Sequence, residues 1–136
     1  MQPDLGRLRG RLEAITGGAH VGVGPAEGTR YAVDGTSPGL TVRPGSQDEV
    51  AAIVAACAEA GAAIIPWGGG TAIGLGNPPT RADVAVILER LNRIVDHDVA
   101  NLNVSVEGGV RLAELQTALT LQGQYLPLDL PADGQA

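Results

Sequence analysis

A run of glycines after a short apolar segment constrains this 136-residue chain more than any other feature. Residues 63–66 are typical of the end of a strand, and five glycines follow within the nine positions 68–76. Glycine lets the backbone turn sharply and expose its N–H groups. Consecutive exposed amides form a concave nest that suits a phosphate or diphosphate. The stretch therefore predicts either an anion-binding loop or a plain flexible connection between two strands.

Two common phosphate-binding motifs do not match this loop. A P-loop requires a lysine where Leu75 stands. A dinucleotide fingerprint begins at Gly68 and Gly70 but has Ile73 at its last glycine position, and the Asn-Pro-Pro sequence at 77–79 disfavours the helix that should follow. The loop also contains no cationic residue. Its backbone amides must therefore supply most of any anion binding, at about 1.5–3 kcal/mol per hydrogen bond to a charged group.

The N-terminal part of the chain is predicted to open with a helix. Apolar residues at helical spacing cover 3–15, and Asp4 is a suitable N-cap. Residues 22–28 are rich in turn formers, and residues 31–33 and 40–43 are predicted to be short strands.

A capped helix lies between the strand at 40–43 and the strand that precedes the glycines. Ser46 and Glu49 have the spacing of a capping box, and Gly61 is a typical helix end. The segment 40–66 therefore predicts a parallel βαβ unit. The continuous apolar run 84–88 predicts a third strand that is covered on both faces.

The C-terminal part predicts a hairpin over 94–106 and an amphipathic helix over 112–123. We therefore predict an α+β (α/β-like) fold with a small parallel βαβ sheet, a hairpin and flanking helices. Residues 1–30 form the N-terminal helix and lead-in, and residues 31–136 form one subdomain.

Composition excludes several functions. The net charge is −6 and all nine basic residues are arginines, so neither nucleic-acid binding nor lysine-based chemistry is expected. No apolar run is long enough to cross a membrane. The single Cys57, on a predicted buried helix face, excludes an internal disulfide and favours a cytoplasmic location. Asp96 and Asp98 lack a third ligand at suitable spacing, so no metal site is predicted.

Five stretches of the chain follow the order of motifs in one known family. They are the strand-Pro-Gly-Ser-x-x-Glu-Val run at 40–50, Pro-Trp-Gly-Gly-Gly-Thr at 66–71, a strand with a Leu-Asn turn at 86–94, Val-Glu-Gly-Gly-Val at 106–110 and Leu-Pro-Leu-Asp at 126–129. Together they resemble the FAD-binding domain of the FAD-linked oxidases, of the vanillyl-alcohol-oxidase or PCMH type. The most similar members are the FAD-binding subunit of glycolate oxidase and the D-2-hydroxyacid (D-lactate) dehydrogenases.

The resemblance implies an FAD site and a set of cofactor-binding residues. Thr71 stands where covalent members usually carry a histidine, so the implied FAD is noncovalent. The implied reaction is hydride transfer from a 2-hydroxy acid, such as glycolate or D-lactate, to FAD. The residues implied to bind the cofactor are Pro66, Trp67, Gly68, Gly69, Gly70, Thr71, Gly74, Leu75, Gly109 and Asp129.

The family's FAD domain has a second half and a separate substrate domain beyond the matching residues. The chain is therefore expected to be the first subdomain only, inactive alone, with an uncovered apolar face that would permit self-association. Partner subunits, including an iron–sulfur subunit, are implied, with attachment to a membrane only through them. Two alternatives remain: a fragment of a flavoprotein like UDP-N-acetylenolpyruvylglucosamine reductase, and a non-catalytic assembly module whose loop serves packing.

Overall fold

The computed structural model describes residues 2–128 of the chain. Within this range, four α-helices and six strands follow one another with short connections. Their bounds are α1 Leu5–Thr16, β1 Val21–Val23, α2 Pro25–Arg30, β2 Leu40–Val42, α3 Gln47–Ala60, β3 Ile64–Trp67, β4 Val84–Ile87, β5 Ile94–Asp98, β6 Asn103–Val106 and α4 Leu112–Thr120.

A four-stranded sheet with the order β1-β2-β4-β3 forms the centre of the fold. Strands β2 and β3 both run parallel to β4, which lies between them, and β1 is antiparallel to β2. The helix α3 connects β2 to β3, so the predicted parallel βαβ unit is confirmed. The predicted hairpin is also confirmed, because β5 and β6 pair antiparallel as a separate two-stranded sheet.

Both long N-terminal helices begin at the predicted caps. The Asp4 carboxylate accepts a hydrogen bond from the Arg7 amide at 3.0 Å. The Ser46 hydroxyl accepts one from the Glu49 amide at 3.1 Å, and the Glu49 carboxylate reaches back to the amide of Gly45 at 2.7 Å. These bonds satisfy helix-end donors that have no partner within the helix.

The two faces of the sheet have different roles. Because side chains alternate along a strand, Leu40, Val42, Val84 and Val86 all lie on one face, where they pack with Leu8 and Leu12 of α1 and with Ile53 and Cys57 of α3. Helix α1 thus shares this core with the segments that follow it. The opposite face carries Ala85 and Ile87, which pack against Tyr31 and Trp67. Ile87 of that second face lines the cleft described below, together with Tyr31 and Trp67.

Two local predictions in the lead-in were wrong. Residues 22–28 are not simply a turn, because β1 and the short helix α2 occupy them. Residues 31–33 do not form a strand; Val33 makes one isolated bridge to Thr36 across a tight turn at Asp34, whose φ is +47°. The glycines at 22, 24 and 28 made this stretch resemble a turn in the sequence. Strand β1 forms because its pairing to β2 outweighs the weak intrinsic strand preference of such a short segment.

Candidate functional site

The glycine loop leaves the carboxyl end of β3 and bends at Gly70. Gly70 has a φ of +76°, in the left-handed region that glycine adopts without strain. A Cβ at this position would lie 2.8 Å from Cζ2 of Trp67, so the indole ring also packs against the loop backbone. By contrast, a Cβ at Gly68 would meet no atom within 4 Å. Position 70 therefore requires glycine because of its backbone conformation and its contact with Trp67. At position 68, the space that a side chain would occupy is open.

The amides of the loop are largely free of internal partners. Within the described residues 2–128, no N–H group from positions 68 to 74 donates a hydrogen bond to another part of the chain. Leu75 differs, because its amide donates to the carbonyl of Ala72 at 3.1 Å. This bond occupies the Leu75 amide in the conformation described, and the Leu75 side chain is 82% exposed, so a contact of Leu75 with the cofactor stays a prediction.

A cleft of about 680 Å³ lies beside this loop and brings two distant parts of the sequence together. Trp67, Gly68 and Gly69 line one part of it, and the segment 108–111 lines another. Among the predicted site residues, the cleft therefore unites Trp67, Gly68, Gly69 and Gly109. Pro66, Gly70, Thr71, Gly74 and Leu75 do not line it, and Asp129 lies outside the described residues.

Gly109 lies against the turn that follows β4. Its amide donates to the carbonyl of Leu91 at 2.7 Å, and a Cβ at this position would collide with the carbonyl group of Leu88. Only glycine can bring the backbone this close. Glu107, two residues before Gly109, is 7% exposed and accepts hydrogen bonds from the guanidinium and the amide of Arg93, which hold its pKa below the ordinary value. These contacts fix the position of the 108–111 segment.

Trp67 packs against Tyr31 in an edge-to-face arrangement with ring centroids 5.1 Å apart. Tyr31 is 4% exposed, and the guanidinium carbons of Arg30 and Arg43 lie 5.4 and 5.7 Å from its ring centroid. Such pairs typically add about 0.5–1.5 kcal/mol beyond burial. The indole thus has a packing role.

A polar network behind Tyr31 is centred on Arg43. Its guanidinium contacts the carboxylates of Glu27 at 2.5 Å and Glu89 at 2.9 Å, and it donates to the Tyr31 hydroxyl at 3.3 Å. The Thr41 hydroxyl also donates to Glu27 at 2.8 Å. The hydrogen bonds from Arg43 and then Thr41 lower the pKa of Glu27 below its ordinary value, so the carboxylate is charged at neutral pH.

Sequence reasoning missed nine of the lining residues, among them Arg30, Tyr31, Arg111 and Glu114. The first two lie near position 30, about forty residues before the loop, and no pattern in the sequence connects them to it. Arg111 and Glu114 could have been predicted, because they follow the predicted site residue Gly109 closely in sequence. The two arginines matter because the glycine loop has no cation of its own.

Other candidate groups lie away from the cleft. Asp98 accepts hydrogen bonds from Asn101 in the hairpin turn, and these bonds lower its pKa. His97 is hydrogen-bonded to Gln124 at 2.8 Å. Cys57 is fully buried, and burial raises the pKa of its thiol.

Across residues 2–128, no three side chains of His, Cys, Asp or Glu gather into a metal-binding group. In the same range, no helix has the length and apolarity needed to cross a membrane.

Comparison with known families agrees with this geometry. A family model described as an FAD binding domain matches residues 38–136, and the chain belongs to this family. Among curated relatives, glycolate oxidase subunit GlcD of Bacillus subtilis is 29% identical over 92 residues, which are 68% of this chain and 20% of that protein. A probable mitochondrial D-lactate dehydrogenase of Danio rerio is 30% identical over 132 residues, which are 93% of this chain and 27% of that protein.

The fold also recurs in solved structures. The crystal structure of p-cresol methylhydroxylase with substrate bound superposes with a TM-score of 0.79 at 19% identity, over 96% of this chain and 27% of that one. The resemblance to FAD-linked oxidases and the predicted PCMH-type fold are therefore confirmed. The chain spans between a fifth and just over a quarter of the length of these proteins.

Proposed function

We propose that this chain forms the first part of the FAD site of a flavin-dependent oxidoreductase that acts on a 2-hydroxy acid such as glycolate or D-lactate. One observation carries the proposal: unpartnered amides of the glycine loop and the tightly placed Gly109 meet at one cleft. The names of the relatives, a glycolate oxidase subunit and a D-lactate dehydrogenase, support the substrate class.

The residues of the cleft fit the chemistry of this cofactor. Gly68 and Gly69 line the cleft, and their N–H groups have no hydrogen-bond partner within residues 2–128; a diphosphate is the part of FAD that such donors bind. Gly70 gives the loop its curvature, and Pro66 leads into it from β3. Thr71 and Gly74 do not line the cleft, but their amides also lack partners within residues 2–128, and these amides and the Thr71 hydroxyl would add further bonds to the diphosphate. Gly109 would approach the cofactor with its backbone, and Asp129 stays a prediction from the resemblance.

The bound flavin would supply the redox chemistry by accepting a hydride from the substrate. This chain's residues hold and orient the cofactor, and the groups that activate the hydroxy acid are proposed to lie outside it. We propose noncovalent attachment, because the loop carries Thr71 and no histidine. Oxidase partner subunits, including an iron–sulfur subunit, and a cytoplasmic location with only indirect membrane attachment also stay predictions.

Self-association through an apolar face likewise stays a prediction. The hairpin and the segment after α4 carry exposed apolar side chains within the described range, among them Val95, Leu102, Leu121 and Tyr125. Their exposed fractions run from 63% to 80%. Exposed apolar surface, where it is contiguous, commonly marks a place where another protein segment packs.

The test is a visible absorption spectrum of the full-length protein that contains this chain. Flavin bands are expected, and Gly69→Val is expected to abolish them, because its side chain occupies the place of the diphosphate. Turnover with glycolate and D-lactate tests the substrate class. A colourless wild-type protein would favour the non-catalytic assembly module, and turnover of a UDP-sugar substrate would favour the reductase alternative. A Gly69→Val protein as yellow as wild type would contradict the assignment of the loop.

A further inference from the structure

Arg30 lines the same cleft as Gly68 and Gly69 of the glycine loop. It is the last residue of α2, and its guanidinium carbon is 5.4 Å from the centroid of the buried Tyr31 ring. The Tyr31 ring in turn packs edge-to-face against Trp67, which directly precedes Gly68. These contacts connect Arg30 to the start of the loop, and Arg30, Gly68 and Gly69 line the same cleft, although nearly forty residues separate Arg30 from the loop in sequence.

The acidic residues that would normally neutralise Arg30 are already engaged. Glu27 lies three residues earlier on α2, at the spacing of a helical ion pair. Its carboxylate instead contacts Arg43 at 2.5 Å and accepts a bond from Thr41. Glu89, another acid that lines the cleft, contacts the Nε atom of Arg43 at 2.9 Å.

Burial explains why Glu27 pairs with Arg43 rather than with Arg30. The Arg43 side chain is 17% exposed, whereas Arg30 is exposed to solvent, and an ion pair is stronger where water is partly excluded. Among the described residues, no carboxylate oxygen lies within 4.0 Å of the Arg30 guanidinium. Arg30 is therefore left with an available planar fork of N–H donors, which is the arrangement that binds phosphate oxygens in pairs.

We propose that Arg30 is the cationic ligand of the cofactor's diphosphate and supplies the positive charge that the glycine loop lacks. This inference rests on the proposed function. Arg111, the other arginine of the cleft, stands with Gly108 and Gly109 on the segment that leads into α4. Arg30, by contrast, is linked through Tyr31 to Trp67, the residue that precedes Gly68, so the diphosphate role is assigned to Arg30 rather than to Arg111.

The test uses the full-length protein freed of its flavin and titrated with FAD and with ADP, which has the diphosphate but no flavin ring. Arg30→Gln is expected to weaken the binding of both by about 10- to 100-fold, the value of about one charge-assisted hydrogen bond. The salt dependence of the FAD dissociation constant is expected to become shallower, because fewer opposite charges meet in the complex. Arg30→Lys is expected to restore part of the affinity, since it returns the charge without the fork.

Arg7→Gln is the matched control, because it removes the same charge from an exposed residue of α1 that does not line the cleft. It should leave both dissociation constants unchanged. The inference is overturned if Arg30→Gln binds FAD and ADP as tightly as wild type, or if it weakens binding without altering the salt dependence. A wild-type protein that binds neither compound would overturn the proposed function itself, and the inference with it.

Discussion

Replacing Gly109 by alanine tests whether the segment 108–111 is placed by backbone packing. The added Cβ would collide with the carbonyl group of Leu88 and would lie 2.8 Å from the carbonyl oxygen of Leu91. Both obstacles are backbone atoms, so no side-chain rotation relieves the contact. The segment must move away, and the 2.7 Å hydrogen bond from the Gly109 amide to Leu91 must lengthen or break.

The expected cost combines two effects. Overpacking of a tight site costs about 1–3 kcal/mol, and loss of one hydrogen bond costs about 1 kcal/mol. Gly109→Ala is therefore expected to lower the free energy of unfolding by about 2–4 kcal/mol, as measured by urea unfolding followed with circular dichroism. Flavin retention is expected to fall with it, because the segment lines the cleft.

Gly108→Ala is the neighbouring control. Its Cβ would meet only Cδ1 of Leu88, at 3.2 Å, and a leucine methyl group can shift. A loss of stability well under 1 kcal/mol is expected, in the range of ordinary exposed sites. Equal losses for the two alanine variants, or no loss for Gly109→Ala, would refute the close-approach explanation.

Two further predictions concern the loop and the polar network. Gly70→Ala forces a φ of +76° on a residue with a Cβ and presses it against Trp67, so a loss of about 1–2 kcal/mol in unfolding free energy is expected, measured by urea unfolding. The lowered pKa of Glu27 means that its stabilising contribution is complete above its ordinary value of 4.5 and is lost as pH falls through the lower folded value. Glu27→Gln should therefore lower the urea midpoint at neutral pH, and its curve should converge with wild type in acid; parallel curves at all pH values would contradict this.

Local patterns predicted the elements whose signals are strong. The caps at Asp4 and Ser46 and the apolar run at β4 each carry their cause within a few residues. The predictions for residues 22–33 were wrong because the cause of the structure there is not local. Strand β1 has three residues with a glycine at its centre, and it forms because β2 offers it a partner nineteen residues away. Pairing across that distance leaves no trace in a short window of sequence.

The sequence by itself determined the βαβ unit, the glycine loop and the family, because helix caps, apolar periodicity and the order of motifs are all local properties of the chain. Only the tertiary structure decided which charges accompany the loop. Arg43 and Arg30 compete for Glu27, and the outcome depends on burial and on the distance between side chains from different elements. Electrostatic pairing depends on three-dimensional proximity, so the available cation at the cleft becomes apparent only once the chain is folded.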